Sequence, residues 1–123
     1  MGDAGSAGAQ FQRAIKARNL IAAFSAAHEL SWLSLEDALD LLVLIAEKDG
    51  RRYSRAAARW LERLLAEREL ELGEVQLAAA SLAALQSRSS AQAVTVLREL
   101  LNRPRFSSER IIPSISSGVG DAG

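Results

Sequence analysis

Residues 34–50 of the chain read SLEDALDLLVLIAEKDG, and the fold turns on how that stretch is interpreted. It has the marks of a complete helix. Ser34 stands where a hydroxyl can accept from the first free amides, and Asp37 three positions on resembles the second half of a capping box, a role more often filled by Glu or Gln. Glu36 and Asp37 place negative charge against the positive end of the helix dipole. Gly50, after Asp49, is the residue type that tolerates a left-handed stop. At 100° per residue, Leu35, Ala38, Leu39, Leu41, Leu42, Val43, Ile45 and Ala46 cover an apolar arc of about 200°. One neighbour cannot hide an arc that wide, so this helix is expected at the centre, with its neighbours packed around it.

Working outward, amphipathic periods predict helices on both sides. Residues 9–17 carry Phe11, Ala14 and Ile15 on one face, and residues 20–30 carry Leu20, Ala23, Phe24, Ala27 and Leu30. Arg18-Asn19 is a break between them if Asn takes the left-handed turn; one continuous helix over 9–30 is the alternative. Trp32 or Leu33 can staple the entry of the central helix against Ala38. Downstream, Tyr53, Ala56, Ala57, Trp60, Leu61, Leu64 and Leu65 give residues 52–69 a regular inward face. The gap between this helix and the central one is so short that the two must form an antiparallel hairpin. Residues 74–86 present small side chains, and Ser89 with Gln92 opens a last helix that ends near Asn102, before Pro104.

The expected fold class is therefore all-α: five or six short helices stacked as antiparallel hairpins, in a compact bundle or a short solenoid-like arc. Helix 34–49 is central, with the second, fourth and fifth helices against it. The domain spans 9–102. Residues 1–8 and 103–123 are rich in Gly, Ser and Pro and read as disordered tails, the second one largely so.

Composition bounds the function. The 123 residues amount to one domain. Lys and Arg balance Asp and Glu at 15 each, so no global charge pulls the chain to nucleic acid or acidic membranes. The charge is uneven, since residues 1–50 hold four basic and seven acidic side chains. Cysteine is absent, which excludes disulfides and thiolate metal sites and fits a cytoplasmic protein. No apolar run approaches the length of about 20 residues that spans a bilayer. The start, MGDAGSAG, fits the loose myristoylation pattern by chance composition and has no leader-like basic and apolar regions.

The sharpest local pattern is Arg51, Arg55, Arg59 and Arg63 at i, i+4 spacing, with Arg52 beside the first. These five are the candidate partner-binding residues, on the side of their helix opposite Tyr53, Ala57 and Trp60. Like charges at this spacing cost a helix about 0.2–0.5 kcal/mol per pair, a cost that a counter-charge can offset. Three readings supply one. Glu62 and Glu67 on the same helix, with Glu36, Asp40 and Glu47 on the neighbouring one, can compensate the stripe internally. An acidic partner protein can do so, and so can a phosphate backbone. Few aromatics are present to stack bases, which weighs against the last.

Nothing points to catalysis. His28 is the only histidine, no Ser-His-Asp or Cys-His set exists, and no glycine-rich phosphate loop appears. Glu36, Asp37, Asp40 and Glu47 lie in a helix rather than a calcium loop, so no metal or cofactor is expected. Arg103, Arg105 and Ser108 resemble a basic phosphorylation context in a Ser-rich tail. The function expected is that of a non-catalytic helical protein-interaction module, an adaptor or accessory protein, with a small nucleic-acid-binding regulator as the alternative.

The segments RAIKARNL (13–20), LSLEDALDLLVLIAEKD (33–49) and RYSRAAARWLERLLAERELELGEVQLAAASLAAL (52–85) together resemble a group of small Ala/Leu/Arg-rich helical bacterial proteins of unassigned function. The likeness covers about residues 11–101. It implies an all-helical cytoplasmic domain and carries no catalytic residues across.

Overall fold

The structure, a computed structural model, describes residues 3–103. Six helices follow one another: α1 (Asp3–Lys16), α2 (Leu20–Glu29), α3 (Leu35–Lys48), α4 (Gly50–Glu67), α5 (Leu72–Ala84) and α6 (Ser90–Asn102). There is no strand among the described residues. The chain is all-α, built of three consecutive hairpins, α1/α2, α3/α4 and α5/α6. No described helix is long and apolar enough to cross a membrane.

Local signals account for most boundaries. The first hairpin turns at Arg18, which takes a positive φ of 57°, while Asn19 caps α2 by accepting the Ala22 amide at 3.1 Å. Residues 9–30 are thus two helices, with the left-handed position one residue earlier than Asn19. Ser34 caps α3 as expected, accepting the Asp37 amide at 3.0 Å. Gly50 does not make a left-handed stop. Asp49 alone closes α3 and opens α4, and Gly50 is already the first residue of α4. The exposed Gln86 side chain comes close to it, its amide 3.0 Å from where a Cβ would stand. Ser89 occupies the start of α6 without making a side-chain cap bond.

At the N-terminus α1 begins at Asp3, inside the segment whose composition reads as a tail. Ala7 is buried there, on the same face as Phe11 and Ala14 at i+4 and i+7, so burial of that face, mostly against α2, outweighs the low propensity of the glycines. The expected C-terminal tail lies, beyond Arg103, outside the described residues, as do Arg105 and Ser108.

Helix α3 is central. It packs against α1, α2, α4 and α6. The expected contact with α5 is replaced by one with α6, whose Leu97, Leu100 and Leu101 are buried in the same core; α5 reaches that core through α4 and α6. Periodicity names an inward face but not its partner, and the larger leucines of α6 fill space that the alanines of α5 cannot. Two cores meet on α3. Leu35, Leu39, Leu42 and Ile45 join α4, α5 and α6 in the larger one. Leu44, outside the expected arc, anchors the smaller one with Phe11, Ala14, Ala23 and Ala26.

Candidate functional site

Because the α1/α2 hairpin lies on one flank of α3 and α4 lies on the other, the strip of α3 between them has no helix over it. The α2 and α4 backbones do not approach each other closely. The result is an open groove of about 1000 Å³. Its floor shows the half-buried Ala38 and Leu41 of α3, with Phe24 on the α2 side and Ala56 on the α4 side, and the core residues Leu42, Ile45 and Trp60 lie directly beneath. All five candidate arginines, Arg51, Arg52, Arg55, Arg59 and Arg63, line it.

The helical wheel explains how an arginine stripe comes to border an apolar floor. A step of four residues turns about 40° beyond one full turn, so the stripe winds about 120° around α4 from Arg51 to Arg63. It does not stay opposite Trp60. It starts in solvent at Arg51 and ends half-buried beside the core at Arg63. Sequence spacing contained that drift, but its consequence depended on where α3 lies.

Both ends of the groove are bridged. The Arg52 guanidinium sits over the Phe24 ring, 5.9 Å from its centroid. The Arg63 guanidinium sits over Trp32 at 5.2 Å. Such cation–aromatic contacts contribute about 0.5–1 kcal/mol each at exposed sites. Trp32, which the sequence reading treated only as a staple, is 65% exposed and touches the site through Arg63. Arg63 also binds Glu67 through Nε at 2.6 Å, yet its Nη2 is buried with no hydrogen-bond partner among the described residues.

The internal compensation expected for the stripe is largely not there. Arg52 pairs with Asp49 at 3.2 Å and Arg63 with Glu67. Arg51, Arg55 and Arg59 form no ion pair or hydrogen bond among the described residues, and Glu62 pairs with none of them. The acidic side chains of α3 are engaged elsewhere: Glu36 with Arg68 at 3.7 Å, Asp40 with Arg98 at 2.5 Å, and Glu47 with Arg18. The reason is again angular. Glu36, Asp40 and Glu47 fall within about 40° on α3, and the groove floor is centred nearly opposite them. α3 thus shows acid on one open side and hydrocarbon on the other, with a core along each remaining flank.

Elsewhere there is little that could do chemistry. His28 is exposed in the last turn of α2. Among the described residues no three His, Cys, Asp or Glu side chains are grouped to hold a metal. Among the described residues the one strongly shifted acid is Tyr53, whose phenol burial pushes up to about 12. It donates to the Leu82 carbonyl and is a packing element. A second depression, of about 520 Å³ between α5 and α6, has no charged residue in its lining.

Compared with protein-family models, with curated proteins and with solved structures, the chain has no match.

Proposed function

We propose that this protein is a non-catalytic interaction module, an adaptor or accessory protein of the cytoplasm, and that the groove between α2 and α4 is where it receives another protein. The supporting observation is a pairing of two unmet needs in one place. The floor of the groove is apolar and covered by no helix, and Arg51, Arg55 and Arg59 along its edge have no counter-charge. A half-buried apolar floor edged by unpaired cations is a place where a partner bringing both apolar and acidic side chains gains on both counts. Charge lined up on one side confers choice of partner and speed of encounter.

A nucleic-acid role for the same arginines has less support. Bases stack on open aromatic faces, and the groove itself offers only Phe24, half-buried with a guanidinium over it, and the buried Trp60. A hydrocarbon floor offers nothing to a phosphate backbone.

Site-specific photo-crosslinking in cells tests the reading. A benzophenone side chain is placed at Ser54 or Ala56, which line the groove, and at Gln76 or Ala91, which are exposed away from it. A discrete protein adduct from the groove positions alone is expected. Adducts from none of the four positions, or from all of them equally, would remove the groove from the account, and an adduct with nucleic acid would favour the other reading.

A further inference from the structure

We infer that the occupant of the groove is an acidic amphipathic helix of about three turns, supplied by the partner protein, and this rests on the interaction reading above. Length comes first. The two bridged ends, Arg52–Phe24 and Arg63–Trp32, are 11 positions apart on α4, which is about 16 Å of helix. An α-helix of about eleven residues has that length.

The mode of recognition follows from what the walls can offer. An added strand needs a sheet edge with free backbone groups, and the described residues contain no strand. A polyproline segment docks on exposed aromatic faces; of the rings lining the groove, Trp60 is buried and Phe24 is half-buried with the Arg52 guanidinium over it. Helical walls have their backbone groups bonded internally, so they recognise through side chains. An apolar trough between helices is the surface that takes the apolar face of another helix, through positions i, i+3, i+4 and i+7.

Charge fixes the sign and the spacing. Arg55 and Arg59 are one turn apart in the middle of the edge, unpaired. An incoming helix with Asp or Glu at i and i+4 matches them while its leucine-type residues settle on Ala38, Leu41 and Ala56. Arg63, held by Glu67 and lying over Trp32, closes one end of the edge, so Arg55 and Arg59 are the cations left to meet the occupant.

The test uses the full chain and a fluorescein-labelled peptide of about 14 residues. The peptide carries leucines in a helical stripe and glutamates at i, i+4 beside it; a scrambled peptide of identical composition is the control. The patterned peptide is expected to bind at least about tenfold tighter by fluorescence polarisation and to gain helical circular dichroism on binding. The double variant R55E/R59E, its folding checked by thermal melt, should lose about tenfold or more and prefer a peptide with lysines in place of the glutamates. Equal binding of patterned and scrambled peptides, no binding of the patterned one, or its displacement by oligothymidylate or laurate more readily than by unlabelled peptide would overturn the inference. Groove-specific protein crosslinks alongside such a failure would leave the interaction reading standing and remove only the helix. Loss of both would remove both.

Discussion

Tyr53 on α4 donates its hydroxyl to the Leu82 carbonyl of α5 at 2.6 Å, 29 positions away. The phenol is only 2% exposed, and burial raises its pKa from 10.0 to about 12. Below about pH 10 it is neutral in the folded and unfolded chains, and its contribution to stability does not change with pH. Between about 10 and 12 the unfolded chain releases this proton and the folded one keeps it. Stability should then fall with rising pH by on the order of 1.4 kcal/mol per unit from this group. Thermal melts at several alkaline pH values should show that slope in the natural chain, and Tyr53→Phe should be flatter by that amount. At neutral pH the same variant should lose only about 1 kcal/mol, the value of one hydrogen bond.

The two cores that meet on α3 are unequal. Leu42, 2% exposed, belongs to the larger one, and Leu42→Asp should unfold the domain because it leaves a charge buried without a partner. Unchanged circular dichroism and melting in that variant would contradict the central place of α3. The smaller core has three alanines among its five buried residues. Less apolar area per contact means a lower local opening energy. Amide hydrogen exchange should therefore be faster in α1 and α2 than in α3 and α4, and Phe11→Ala should widen the gap.

Gly73 lies within the first turn of α5, and a Cβ there would meet nothing within 4 Å. Gly73→Ala should stabilise by about 0.4–1 kcal/mol, since the unfolded chain loses freedom that the folded one never used. A calorimetric scan should show a melting temperature higher by a few degrees. Gly50→Ala should gain less, because Gln86 must move aside.

Arg55 and Arg59 should be a cost to the fold. Neither has a counter-charge, and with Arg51 and Arg63 they form three like-charged i, i+4 pairs. Replacing both by Gln should raise stability by a few tenths of a kcal/mol for each pair relieved, with the gain shrinking as salt screens the charges. Chemical denaturation at low and high salt measures this. A loss of stability instead would mean that the arginines have structural partners after all. A gain in stability accompanied by loss of crosslinking at the groove is the signature of residues kept for binding.

Much of the fold was legible in the residues in order. Apolar period, the Ser34 cap, the break at Arg18-Asn19 and the short α3–α4 junction specify helices, most of their ends and the first pairing, because these depend on neighbours within a few positions. The five arginines were legible for the same reason. Their meaning was not. Whether Glu36, Asp40 and Glu47 face the stripe, whether Trp32 reaches Arg63, and whether α5 or α6 covers α3 depend on how rods rotate and cross. That is settled by the packing of side chains far apart in the chain. Local sequence determined six amphipathic helices and a basic stripe; the tertiary structure alone decided that the stripe borders an apolar strip of α3, with the acids turned to the far side.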